Sequence, residues 1–284
     1  MIEVKKKNKK LKKIFIIVGS IFLVLVISFL FLLYGPYSGF RDFLITSSMT
    51  TKSHQYIAKF FYSDKTIDKV LKKNGIIEGD KSTDTNLINI KKKKKSKTYK
   101  NEYEKQILDR SEDESLYKVI NVSGKTYQGY LVAIYDPSRV GIATTRYLGV
   151  RGEAIDNVAK RYGAVVAMNA GGFYDPDWNS NGALPHGIVI ENGKVVSEYA
   201  KANVGGGMVG FTNDNKLVLG KFSKREALNM GIRDAVEFGP FLIINGEASK
   251  VLGNGGWGIA PRTAIGQRQD GIVLFLVING RIPT

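Results

Sequence analysis

The sequence predicts an α+β fold, with helices flanking a large, mostly antiparallel or mixed β-sheet and one transmembrane helix ahead of it. Three observations carry this. From Leu116 onward the chain is a series of short apolar runs broken by turn residues. Three Asn-Gly pairs, Asn192-Gly193, Asn245-Gly246 and Asn279-Gly280, each close such a run. That dipeptide supplies the positive φ angles of a two-residue hairpin turn. Few stretches repeat apolar residues at helical spacing, so strands outnumber helices.

The first element is the most hydrophobic. Residues 14–34 are twenty-one residues long, almost wholly apolar and uncharged. At the α-helical rise this length crosses a bilayer core of about 30 Å. Residues 1–13 form a basic tail with seven lysines and one glutamate, which by the positive-inside rule stays in the cytoplasm. A cleavable signal peptide is the alternative, but its apolar core is shorter and ends at a small-residue site. Residues 32–35 read LLYG, a poor match. The expectation is an uncleaved signal anchor, single-pass in the cell membrane, with the remainder extracytoplasmic.

Residues 35–78 form a juxtamembrane helical region. Within residues 46–74, Tyr56, Ile57, Phe60, Phe61, Ile67, Val70 and Leu71 recur at helical spacing, and Ser47, Ser48 or Thr50 is a suitable cap. His54 falls in the first turns. Such a helix packs on a globular domain or on the membrane surface. Residues 79–115 are polar and charged, with five consecutive lysines at 91–95, and read as a poorly ordered linker. The third region, residues 116–284, is the globular domain. Residues 130–135 and 140–145 read as strands, and residues 153–162 as an amphipathic helix with Ile155, Val158, Ala159 and Tyr162 on one side. Residues 164–168 read as a strand buried on both faces. Residues 208–211 and 217–219 flank the turn TNDN and form a hairpin.

Composition excludes some chemistry. There is no cysteine, hence no disulfide and no thiolate metal site. With only two histidines, His54 and His186, a multi-histidine zinc site is disfavoured. No cofactor is expected, and a divalent cation stays open. The net charge is +16, and residues 1–115 carry +11 of it, from 24 basic and 13 acidic residues. The basicity therefore belongs to the tail and stalk. An exported chain meets little nucleic acid, so the expected partners are a glycan or sugar-phosphate polymer and the membrane, not nucleic acid. Oligomeric state stays open.

Several segments offer chemistry. Residues 253–266, GNGGWGIAPRTAIG, combine closely spaced glycines, Trp257 and Arg262 ahead of a strand-like run at 271–278. Glycine frees backbone N–H groups to face a ligand, and arginine offers a planar charged fork to phosphate or carboxylate. The candidates here are Gly256, Trp257, Arg262 and Thr263, with Arg281 at the end of the following strand. Residues 169–176, NAGGFYDP, follow a strand-like run. In them Asn169 donates and accepts hydrogen bonds, Gly171 and Gly172 permit close approach, and Phe173 and Tyr174, with Trp178 beyond, offer flat faces to a sugar. Asp175 and Asp177 are carboxylates in the same stretch, and a surface turn is the alternative reading. His186 is the globular region's only histidine, and a structural role is its alternative. Glu237 precedes a Gly-Pro corner and is either a paired surface carboxylate or a catalytic one. The Gly205–Gly207 triplet is a bend or a further ligand loop.

Read in order, these segments resemble the phosphodiester glycosidase family. The matching stretches are NAGGFYDP at 169–176, GIVIENGKVV at 187–196, VGFTNDNKLVLG at 209–220, EFGPFLIINGE at 237–247, PRTAIGQ at 261–267 and LFLVINGR at 274–281. The resemblance covers roughly residues 125–284. Residues 49–63 also look like the juxtamembrane segment of bacterial members labelled exopolysaccharide biosynthesis proteins. The resemblance implies a curved central sheet and hydrolysis of the bond between a sugar's anomeric carbon and a phosphodiester. That chemistry needs cationic and N–H stabilisation of the departing phosphate and a carboxylate near an oxocarbenium-like centre. By this reading Arg262 and the glycine N–H groups hold phosphate, Asn169, Phe173 and Tyr174 position the sugar, Asp175 and Glu237 supply the carboxylate, and His186 shuttles a proton. The family continues beyond the LFLVINGR segment with a helix and a motif resembling NLDGGSS. The expectation is therefore a C-terminally incomplete domain. A non-catalytic glycan-binding or assembly factor, or a truncated inactive product, is the alternative function.

Overall fold

In a computed structural model the protein is described over residues 2–51, 54–90, 98–111, 116–175, 180–199, 206–258 and 260–279. The elements in chain order are α1 (Ile2–Tyr34), α2 (Ser38–Met49), α3 (Gln55–Phe61), α4 (Asp64–Lys73), β1 (Gly75–Ile77), α5 (Glu102–Leu108), β2 (Tyr117–Gly124), β3 (Tyr127–Ile134) and α6 (Ile155–Tyr162). After them come β4 (Gly187–Glu191), β5 (Lys194–Tyr199), β6 (Gly207–Thr212), β7 (Leu217–Gly220), α7 (Lys224–Asn229) and β8 (Ile232–Phe238). The last are β9 (Ile243–Ile244), β10 (Glu247–Ala248), β11 (Lys250–Leu252), β12 (Arg262–Gln267) and β13 (Val273–Ile278). The fold class is α+β. The chain forms two compact units, Met1–Gly75 with Val251–Gly258, and Ile76–Lys250 with Ile259–Thr284.

The first unit is helical. One helix, Leu11–Tyr34, is long and apolar enough to cross a membrane. Its end is tied to the three short helices after it, because Leu33, Ile45, Ala58, Tyr62, Ile67 and Val70 form one core. The region read as one helix over residues 46–74 is broken into three pieces. Ser47 and Ser48 lie in the last turn of α2, and Ser63 is the residue whose side chain caps α4, accepting from the Thr66 N–H. Buried Asp42 accepts hydrogen bonds from Lys73 Nζ (2.9 Å) and Asn74 Nδ2 (3.3 Å). Burial by itself would raise the Asp42 pKa. Those hydrogen bonds and the charges of Lys73 and Arg41 outweigh it and hold the carboxyl below the usual aspartate range.

The glycine-rich stretch belongs to this unit. The Asn254 N–H donates to Asn74 Oδ1 (2.9 Å) and Asn254 Nδ2 donates to Thr46 Oγ1 (2.9 Å). Gly256 has φ +73°, and a Cβ there would lie 2.6 Å from the Asn74 carbonyl oxygen; one at Gly258 would lie 2.7 Å from Ser47 Cα. The glycines let the loop press on helix backbone.

Among the described residues the second unit holds two larger antiparallel sheets, ordered β12-β13-β3-β2 and β5-β4-β8-β6-β7, and the small antiparallel pair β9-β10. The large single sheet of the sequence reading is thus divided. Val132, Ile134 and Val273 of the four-stranded sheet pack with Phe211 and Leu217 of the five-stranded one. The hairpin turns fall where expected, with positive φ at Asn192-Gly193 and Asn245-Gly246. The third pair includes Gly280, outside the described residues. The stretch expected to be linker contributes to this fold. Ile107 of α5 is buried with Ile120, Ala133 and Ile272, and Thr83 and Asn89 donate backbone bonds to Leu219 and Gln269. The lysine run at 91–95 lies outside the described residues.

Two expected strands are not strands. Along residues 140–145 the carbonyls turn to arginines instead of a ladder: Val140 O accepts from Arg233 (2.9 Å) and Thr144 O from Arg161 (2.6 Å). Residues 164–168 are irregular and mostly exposed, Val165 at 73%, with Val166 packing on the core. The chain then runs beside β8, where Gly171 lies against Val236. That strand has β4 on one edge and β6 on the other, so no ladder position is open there for the apolar run.

Candidate functional site

The site is assembled where residues 172–174 run antiparallel to residues 184–186. Phe173 bridges Pro185. The Tyr174 N–H donates to Leu184 O (2.7 Å) and the His186 N–H to Gly172 O (2.9 Å). This pairing brings the first candidate loop beside His186, and His186 leads directly into β4.

From β8 comes Glu237. It is 8% exposed and His186 is 9% exposed. Glu237 fits because residue 187 is glycine. A Cβ at Gly187 would fall 2.4 Å from Glu237 Oε2, and the backbone there has φ +65°. Gly172 lies against the same groups, with His186 Cδ2 and Phe238 Cε2 both 3.4 Å from where a Cβ would stand, an ordinary contact distance. Around the buried pair stand exposed aromatic rings. Tyr174 lies edge-on to His186 at 6.1 Å and to Tyr199 at 5.2 Å. Phe173 and Phe238 are exposed as well. The result is a buried carboxylate and imidazole beneath a rim of flat apolar faces, an arrangement suited to a sugar ring.

The sequence-derived candidates divide accordingly. Gly171, Gly172, Phe173, Tyr174, His186 and Glu237 are brought together. Asp175 closes its own loop, with Oδ1 accepting the Ser180 N–H at 2.7 Å. Asn169 is exposed in the irregular segment two residues before Gly171. Arg262 and Thr263 lie on β12, in the four-stranded sheet rather than the sheet that carries Glu237. Burial holds the Arg262 guanidinium pKa below its usual value, and its Nη1 donates to Pro261 O (3.0 Å). Gly256 and Trp257 belong to the helical unit and Arg262 to the other. Arg281, Asp177 and Trp178 lie outside the described residues. Among the described residues, no group of three or more His, Cys, Asp or Glu side chains is arranged to hold a metal ion.

Sequence reasoning missed Tyr199 and Phe238. Phe238 follows Glu237 directly. Tyr199 is the residue paired with Gly187 across the β4–β5 hairpin, but the register shifts between Val189 and Ile190, so a straight count outward from the Asn192-Gly193 turn points to Glu198 instead. A second polar network also went unread. Glu191, buried at the end of β4, accepts from Thr144 Oγ1 (2.6 Å) and from the Tyr162 hydroxyl. Glu153 accepts from Arg161 Nη2 (2.8 Å) and Arg146 Nε (3.0 Å). Together these bonds fasten α6 and its preceding loop to β4. The hydrogen bond to Glu191, followed by burial, pushes the Tyr162 pKa up.

Residues 162–284 match the model of the phosphodiester glycosidase family, and every residue of the cluster falls inside that match. A curated relative is an uncharacterised SPbeta prophage-derived protein of Bacillus subtilis strain 168. It is 28% identical over 181 residues, covering 58% of this chain and 27% of that protein. Among solved structures the chain is similar to the catalytic domain of zebrafish N-acetylglucosamine-1-phosphodiester alpha-N-acetylglucosaminidase auto-inhibited by its pro-peptide. That likeness has 21% identity and a TM-score of 0.43, over 58% of this chain and 60% of that one. The chain thus spans about a quarter of the curated relative's length and three fifths of the solved domain's.

Proposed function

We propose that this chain, which carries a phosphodiester glycosidase domain over residues 162–284, is a membrane-anchored, extracytoplasmic hydrolase of sugar-1-phosphodiester linkages in cell-wall or exopolysaccharide glycans. The observation that carries the reading is the buried Glu237 and His186 beneath Phe173, Tyr174, Tyr199 and Phe238, inside the family-matched stretch. In the reaction the bond from the anomeric carbon to the phosphodiester oxygen breaks, and water supplies the new hydroxyl. Phosphate leaves as an anion, so protonation of the leaving group is less demanding than for an alcohol. The carboxylate of Glu237 faces the oxocarbenium-like centre, and the aromatic rim holds the ring. His186 moves the proton of the attacking water. Asp175 is the weaker carboxylate candidate, because one of its oxygens holds the loop. Arg262 is the assigned phosphate contact. The anchor reading rests on the apolar helix Leu11–Tyr34 and the lysine-rich tail before it.

The test uses the full chain in bilayer nanodiscs with a sugar-1-phosphodiester substrate, following release of reducing sugar. Activity that falls at least 100-fold in Glu237→Gln and in Arg262→Ala, with unchanged melting, supports the reading. Wild-type inactivity with retained glycan binding sinks it in favour of a glycan-binding factor. The separation of Arg262 and Glu237 onto different sheets is the observation that favours that second reading.

A further inference from the structure

We propose that α3 is a membrane-surface helix, with Tyr56, Lys59 and Phe60 set in the interfacial layer of the bilayer that α1 crosses. The proposal rests on the anchor reading and adds a second point of membrane contact. Tyr56, Lys59 and Phe60 stand three and four residues apart, so they share one helical face. Tyr56 is 67% exposed and Phe60 81%. The other side of α3 is occupied: Ala58, with Tyr62 just beyond the helix, is buried in the helical core with Leu33 and Ile45.

What identifies the occupant of the exposed face is the depth at which α3 is fastened. The Tyr62 hydroxyl donates to Leu33 O and the Tyr34 hydroxyl to Phe61 O, both at 3.0 Å. The Phe61 ring stands edge-on to Phe29 at 5.8 Å. Phe29 lies five residues inside the end of the Leu11–Tyr34 span, about 7–8 Å along the helix axis from Tyr34. The ring of Phe61 therefore reaches the level of the outer hydrocarbon boundary. Phe60 is its neighbour and stands edge-on to it at 4.9 Å. At that level the surroundings of Phe60 and Tyr56 are lipid headgroups and the first methylenes, where aromatic side chains of membrane proteins concentrate. Lys59 reaches from the same face to phosphate oxygens, its stem along the acyl boundary. A helix on the far side of a soluble domain would not carry this stripe next to a spanning segment.

The chain has no cysteine, which permits single-site labelling of the full chain. Phe60→Cys, Tyr56→Cys, Phe22→Cys and Lys69→Cys are each spin-labelled and placed in bilayer nanodiscs. Accessibility to oxygen, which concentrates in lipid, is compared with accessibility to a water-soluble nickel chelate. The expected oxygen-to-nickel ratio at positions 60 and 56 is about fivefold above that at Lys69, and position 22 is higher still. Phe60→Ser combined with the label at position 56 lowers that label's ratio at least twofold, which insertion driven by the nitroxide alone would not produce. Equal ratios at 60, 56 and 69, with position 22 high, overturn the proposal and leave the span intact. An aqueous reading at position 22 overturns the anchor reading, and the α3 proposal falls with it.

Discussion

Replacing Gly187 by alanine tests whether the glycine exists to admit Glu237. The backbone at Gly187 has φ +65°, and an L-residue there costs roughly 1–2 kcal/mol. The added Cβ would lie 2.4 Å from Glu237 Oε2, 2.5 Å from its Cδ and 2.9 Å from its Cβ, closer than real Cβ contacts come. The strand that carries Glu237 is held by β4 and β6 on its two edges; turning the side chain moves Oε2 and Cδ away, but the Cβ contact yields only to a small backbone shift. Overpacking of this kind costs about 1–3 kcal/mol. The sum, roughly 2–5 kcal/mol, corresponds to a melting-point drop of about 5–15 °C for a unit of this size. Thermal unfolding followed by circular dichroism measures it. The diagnostic is the double mutant, because Glu237→Ala removes the two nearest atoms and relieves most of the clash while leaving the φ cost. The cycle should show a coupling of about 1–2 kcal/mol. Gly187→Ala within about 0.5 kcal/mol of wild type, or a strictly additive cycle, refutes the account of how Glu237 is seated.

Two more outcomes concern polar groups outside the cluster. Tyr162→Phe removes one of the two donors to buried Glu191 and should cost about 1 kcal/mol in denaturant unfolding; no loss would mean the α6 network does not hold its loop. Asp42 has its folded pKa below the ordinary value, so its contribution is complete above the unfolded aspartate pKa of about 3.9 and is lost as pH falls through the folded value. Asp42→Asn should therefore lower the melting point at pH 7, and the gap to wild type should narrow toward pH 3. A gap that stays constant from pH 7 to pH 3 contradicts the assigned role of Lys73 and Asn74.

What the sequence made legible tracks the range of the forces involved. Hairpin turns are local, and Asn192-Gly193 and Asn245-Gly246 specify their own φ angles. The apolar helix is also local. Partnership across the chain is not. Residues 164–168 carry an apolar run that reads as a buried strand, yet a strand exists only where a neighbouring edge is open, and β8 has none. The same limit explains α5. Its sequence is as charged as its surroundings, and only Ile107 and Leu108 reveal that it packs on a sheet. In the candidate site, Glu237 and His186 were legible as residue types beside glycines. Phe238 was adjacent to Glu237 in sequence, whereas Tyr199 required the strand register with its shift between Val189 and Ile190.

The glycine-rich stretch shows how one motif can serve two masters. Read as a string, residues 253–266 look like a single anion loop ending in Arg262. Folded, the stretch divides at Gly258. Up to that point Gly256 and Gly258 answer to backbone of the helical unit, since Asn74 O and Ser47 Cα occupy the space a side chain would need. From Arg262 onward the chain is strand β12, paired residue for residue with β13, Arg262 opposite Ile278 and Gln267 opposite Val273. Gln267 shows the same commitment to the second unit, with Oε1 accepting the Leu217 N–H (2.6 Å) and Nε2 donating to Asn215 O (2.9 Å). Glycine's freedom is a permission that backbone, ligand or a neighbouring side chain can each use. Gly187 and Gly256 both have positive φ. One makes room for a carboxylate and the other for a carbonyl, and only the atom facing the missing Cβ tells them apart.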